Sequence, residues 1–149
     1  SPERFGLKLA EQRELAGQLL GSGDLDYLDM SLWDVFKEPV EAEFAGKPLI
    51  DWFSELPRGR TRLGVAGKLT SAQDCRRALE HSADFAILGR AAILHHDFPL
   101  RAQADPDFRC TVLPVTREYL KQERLGPAFI KYMSGWKGFV AEDETVVAG

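Results

Sequence analysis

Cysteine is scarce: Cys75 and Cys110 are the only two among 149 residues. Cys75 falls in a helical pattern and has no partner at metal-ligand spacing. Two cysteines cannot make a disulfide framework, so the chain reads as a reduced, cytoplasmic protein, with one disulfide as the other option. Long apolar runs are missing too, and none approaches the roughly 18–20 residues that a membrane span needs. There is no excess of positive charge; the net charge is -4 and the pI about 5.4. Overall, neither a phosphate backbone nor an anionic headgroup would be attracted, which argues against nucleic-acid and membrane partners but leaves room for a local basic site. The opening "SPERFG" has no starting Met and no signal-peptide layout. What is present, 44% hydrophobic and 28% charged residues, is the balance of a soluble globular chain with enough length for a core.

Apolar spacing over Lys8–Leu20 (Leu9, Leu15, Ala16, Leu19, Leu20) predicts a helix, ended by Gly21-Ser22-Gly23. Leu25–Leu32 alternates and predicts a strand. An irregular, aromatic connection follows. Pro48–Leu56 reads as a short helix opened by proline, and Thr61–Leu69 as a second strand running into a glycine turn. Residues 70–82 read as a helix with Ser71 and Asp74 at capping-box spacing. Ala83–Leu88 is a third strand, with a helix from about Ala91. Short strands alternating with helices predict an α/β fold with parallel strands. Three such strands would leave both sheet edges and one face bare. The sheet is therefore expected to be completed by the tail, by another chain, or by more of a longer polypeptide.

Two strand ends carry glycine: Ala66-Gly67-Lys68-Leu69 and Leu88-Gly89-Arg90. In parallel α/β structures these ends share one rim, where glycine lets a ligand approach the backbone and helix N-termini present N–H groups to anions. Arg90 adds a permanently charged fork suited to phosphate. Together these features outline a phosphate cup. The same glycines also suit tight strand-to-helix turns, with Arg90 in a surface ion pair, and the spacing alone leaves both readings open.

The stretch "TRLGVAGKLTSAQDCRRALEHSADFAILGRAAILHHDFP" resembles the last two strand–helix units of the Old Yellow Enzyme family, the FMN-dependent NAD(P)H:flavin oxidoreductases and ene-reductases. The resemblance rests on "AGKL", "ADFAILGR" and the following "HHDFP". "SPERFG" is similar to that family's segment after barrel strand five, and "DYLDMSLW" to its sixth strand. The likeness runs from Ser1 to Pro99, with weaker echoes in "GPAFIKYMSGWKGFV". It implies the C-terminal portion, about strands 6–8, of a (β/α)8 TIM barrel. Residues 1–115 would form the partial barrel and 116–149 a tail packing on it. It further implies FMN as cofactor, NAD(P)H as reductant and an activated alkene as small-molecule acceptor. The FMN phosphate would be held by Gly67, Lys68 and Leu69 together with Leu88, Gly89 and Arg90. That family often has a second glycine in the first of these loops, where "AGKL" keeps one. Its catalytic residues come mostly from earlier strands, so none is assigned here. The chain alone is expected to be inactive, its partner being the missing N-terminal half of the barrel or a second copy.

Other conspicuous residues carry blander readings. His95-His96-Asp97 offers metal-ligand types, but no third ligand lies at recognisable spacing, so no metal is assigned. His81 reads as a helix end, Asp24, Asp26 and Asp29 as solvated charges, and Arg76 and Arg77 as a solvated helix face. Trp33, at the end of the first strand, is expected to pack in the core or a loop, or to border a ligand. Trp136 and Phe139 are expected to be packing anchors.

Overall fold

Hydrophobic alternation decides the sheet. A computed structural model describes residues 6–142. In chain order it contains α1 (Leu9–Gly21), β1 (Tyr27–Ser31), α2 (Leu49–Ser54), β2 (Arg62–Ala66), α3 (Ala72–Glu80), β3 (Phe85–Ile87), α4 (Arg90–Leu94), α5 (Phe98–Ala104), α6 (Arg117–Gln122) and α7 (Pro127–Ser134). A short 3-10 turn, Ala42–Phe44, interrupts the connection after β1. "SPERFG" lies outside the described residues except for its last glycine.

The strands form one open parallel sheet in the order β1-β2-β3. Leu28 pairs with Leu63, Met30 with Val65, and Val65 in turn with Ala86. Because side chains alternate across a strand, these five share one face. They pack with Leu9 and Ala16 of α1, Ile50 and Phe53 of α2, and Ala78 of α3. The opposite face carries Tyr27, Asp29, Ser31 and Arg62, all exposed, beside half-buried Ala66, Phe85 and Ile87. The fold is thus mixed α/β, with flanking helices packed against one sheet face.

Two compact units divide the chain, Ser1–Leu69 with Gln73–Leu88, and Thr70–Ala72 with Gly89–Gly149. The first holds the sheet. The second is built on Leu94, Val115, Leu120, Ile130, Met133 and Phe139. There the N–H of Val115 donates to Phe139 at 2.9 Å and that of Ala141 donates back to Val115 at 2.8 Å, clipping the tail to the core. Thr116 caps α6 by accepting from the N–H of Tyr119 at 3.0 Å, and Pro127 opens α7. Among the described residues no helix is long and apolar enough to cross a membrane.

The expected strands appear, each shorter at its ends. The helix expected from Ala91 starts one residue earlier and stops at Leu94, and α5 resumes beyond His95–Asp97.

Gly64 sits under the open face. A Cβ there would lie 2.3 Å from Phe85 Cε2 and 2.7 Å from Ile87 Cδ1. Phe85 therefore leans over the bare backbone of β2, and meets Tyr27 edge-on at 5.7 Å between ring centroids. Gly64→Ala should cost about 1–3 kcal/mol through this overpacking, read as a lower urea midpoint. Adding Phe85→Leu should recover part of the loss, because the two sites share one space.

Candidate functional site

At the C-terminal ends of β1 and β2 the chain folds onto itself. The N–H of Leu32 still donates to Ala66 at 2.8 Å, extending the ladder by one bond. Trp33 then turns into the left-handed region, φ 64°, and the N–H of Val35 donates to Gly67 at 3.3 Å. Gly67 itself has φ +147°, and a Cβ on it would stand 2.7 Å from the carbonyl carbon of Trp33 and 2.8 Å from the nitrogen of Asp34. Only glycine fits both the conformation and the space. The close approach that Gly67 permits is to the chain's own backbone.

Lys68 follows with φ 53°, and its ammonium lies 3.3 Å from the carboxylate of Asp34. Leu69 buries its side chain in the first unit's core, leaving only its main chain for a ligand. The N–H groups of Gly67, Lys68 and Leu69 find no acceptor among the described residues.

β3 ends at the same sheet edge, since Ala66 and Ile87 are paired in parallel register. Leu88 is half-buried and packs against the first unit's core. Gly67, Lys68, Leu69 and Leu88 thus belong to the first unit, and Gly89 and Arg90 to the second. The N–H groups of Leu88, Gly89 and Arg90 likewise find no acceptor among the described residues. The Gly89 carbonyl starts α4 by accepting from Ala92 at 3.1 Å. With five residues, α4 has too short a dipole to add much charge, so the amides themselves matter more. Arg90 is exposed, with no carboxylate partner among the described residues; its guanidinium carbon sits 5.5 Å from the centre of the Trp136 ring.

Trp33 is 79% exposed and borders a cleft of about 260 Å³ lined by Leu9, Leu32, Lys37 and Leu49. Asp24, Asp26 and Asp29 are exposed. His81 bonds Asp51 at 2.7 Å through Nδ1. Arg77, expected to be merely solvated, lies 4.0 Å over the ring of Phe36. Phe139 is an anchor, as expected, whereas Trp136 is 41% exposed and stacks with a cation.

The third potential ligand that spacing could not supply for His96 and Asp97 is Glu123, 27 residues beyond His96. Candidate ligand atoms of the three lie within 4.8 Å of one another. His96 Nδ1 already bonds Glu123 Oε2 at 2.6 Å, and Asp97 accepts from Arg101 Nε at 2.9 Å. Burial pushes the Glu123 carboxyl up, but its bonds to His96 outweigh this and hold it below the usual range. The cluster's side chains already bond one another and Arg101, and a cation would have to displace those bonds.

His95 is buried and neutral. Its Nε2 accepts from the N–H of Thr111 at 2.9 Å, which fixes the ring proton on Nδ1, 3.3 Å from the Tyr119 hydroxyl. That hydroxyl donates to the Leu94 carbonyl at 2.8 Å. Burial lowers the His95 pKa, with Arg101 adding to the effect and Glu123 and Asp97 opposing it.

The chain matches no protein-family model, and no curated protein matches it significantly.

The His95 arrangement sets a pH dependence. A folded-state pKa below the ordinary histidine value of 6.5 means that the unfolded chain binds this proton more readily. The stabilisation is complete above 6.5 and is lost as the pH falls from there toward the folded value. Urea unfolding followed between pH 7.5 and 5.5 should show stability falling with acidification. His95→Gln, which has no proton to gain, should flatten that slope; an unchanged slope assigns it elsewhere.

Proposed function

We propose that this chain is the FMN-phosphate-binding part, about strands 6–8, of a (β/α)8 barrel in an NAD(P)H:flavin oxidoreductase resembling the Old Yellow Enzyme family. The observation that carries this reading is that, among the described residues, the strand-end amides find no acceptor and the arginine that follows β3 finds no carboxylate. A phosphate needs several N–H donors and a cation whose charge is not already cancelled. Gly67, Lys68, Leu69, Leu88 and Gly89 would give main-chain donors, and Arg90 a guanidinium fork. The bound flavin would supply the redox chemistry, accepting a hydride from NAD(P)H and passing one to an activated alkene. This chain's residues anchor the cofactor and balance its charge. None is assigned to the reacting atoms, so no turnover is expected from the chain alone.

The open sheet face and the outer edges of β1 and β3, unpaired among the described residues, fit a barrel arc awaiting further strands. The same openness favours a second reading, a noncatalytic phosphate-ligand module that closes its sheet on a second copy. Self-association without flavin binding would select that reading over the first.

The test compares FMN with riboflavin, which lacks the phosphate, by quenching of flavin fluorescence on the 149-residue chain. FMN should bind more tightly. Arg90→Ala should remove about tenfold or more of that advantage, as expected for a hydrogen bond to a charged group. Equal binding of the two flavins, or binding of neither, overturns the reading.

A further inference from the structure

We infer that Trp136 is a positioning residue for Arg90, holding the guanidinium in place without neutralising it so that its fork stays available to a phosphate. This deepens the reading above and rests on it.

Arg77 also lies over a ring, that of Phe36 at 4.0 Å, but four other arginines are held by carboxylates. Arg13 pairs with Glu55 at 2.6 Å, Arg58 and Arg62 with Asp84 at 3.1 and 3.6 Å, and Arg101 with Asp97 at 2.9 Å. Each of these four gives its charge to a carboxylate, even Arg13 and Arg101, which also lie over rings at 5.6 and 5.8 Å. Arg90 instead lies over an indole face, 5.5 Å from its centre. A cation–π contact restrains a guanidinium through its flat face and uses none of its five N–H donors. A carboxylate in the same place would occupy the fork and repel an incoming phosphate.

Trp136 is itself well fixed for this task. Its N–H donates to Met133 at 3.0 Å, and its carbonyl accepts from Phe139 at 3.1 Å. Met133 and Phe139 are each only 2% exposed, so the segment carrying the indole is clamped at both ends in the second unit's core. Tyr132 meets the indole edge-on at 6.2 Å, restricting it on a further side. The indole remains 41% exposed, open to solvent on its remaining side. An arginine stacked on so fixed a platform has already given up rotamer freedom that it would otherwise lose on binding an anion.

The experiment titrates FMN and riboflavin into the full chain and its Trp136→Leu, Trp136→Phe, Arg90→Ala and Arg90→Ala/Trp136→Leu variants. Urea midpoints confirm that each variant is folded. Leucine fills space without a π face, and phenylalanine keeps a weaker one. Trp136→Leu should weaken FMN binding about two- to fivefold, the worth of an exposed cation–π contact, and leave riboflavin binding unchanged. Trp136→Phe should fall between wild type and Trp136→Leu. In the Arg90→Ala background Trp136→Leu should change nothing more, because its effect runs through Arg90. Equal losses for FMN and riboflavin, or an undiminished loss in the Arg90→Ala background, overturn the inference by showing a general packing role. If Arg90→Ala weakens FMN while Trp136→Leu does not, the inference alone falls. If Arg90→Ala leaves FMN binding untouched, the phosphate reading falls with it.

Discussion

The contact on which the strand-end geometry depends is between backbones, where Gly67 lies against Trp33 and Asp34. It lets the loop after β1 and the loop after β2 turn as a pair. The N–H of Val35 then reaches the Gly67 carbonyl, and Lys68 reaches Asp34. Two side chains adopt left-handed backbone conformations around it, Trp33 and Lys68. Each such residue costs on the order of 1 kcal/mol or more. The surrounding contacts must cover that cost, and they do so at the sheet edge where, among the described residues, the amides of Gly67, Lys68 and Leu69 find no acceptor.

The sheet imposes a second constraint. Parallel strands are ordinarily covered on both faces, because their connecting helices pack there. Here buried Leu63 and Val65 share one face with half-buried Leu28, Met30 and Ala86, and the other displays Tyr27, Asp29, Ser31 and Arg62. That mixture of ring, acid, hydroxyl and cation is wrong for a face awaiting a helix, which would bury those charges at a high cost. It is compatible with the inside of a closed barrel, where polar groups from neighbouring strands can serve one another and a ligand. Phe85 and Ile87, both leaning across Gly64, supply apolar cover on this face.

Much of this was legible from the residues. The runs at Leu63–Val65 and Phe85–Leu88 announce buried strands, and the break at Gly89-Arg90 announces an exit. The reason for Gly67 was not legible, because the Cβ-sized space it leaves is filled by a segment more than thirty residues earlier in the chain. Nor was the fate of Lys68, whose charge is spoken for by Asp34 through that same fold-back. Glu123 joins His96 only after α5 and α6 have turned the chain, so no local spacing could link them. The tail's helices were less visible than their signals allowed: Thr116 three residues before Tyr119, and Pro127 after Gly126, are both start signals. Charge and aromatic content masked the periodicity there.

The two cations that follow β2 and β3 are therefore not equivalent. Lys68 is exposed, and its pairing with Asp34 is worth at most about 1 kcal/mol in water. That is weak enough for a phosphate to compete, but the phosphate would then leave Asp34 with a like charge beside it. Arg90 carries no such debt. Its restraint is an aromatic face, which opposes no anion and blocks no donor. Lysine also presents a compact, strongly hydrated charge, whereas arginine presents a planar fork that matches two phosphate oxygens at once. On the proposed reading Arg90 would balance an anion's charge, with Lys68 contributing little. The pairing of Lys68 with Asp34 serves a different end, fastening the loop after β2 to the loop after β1.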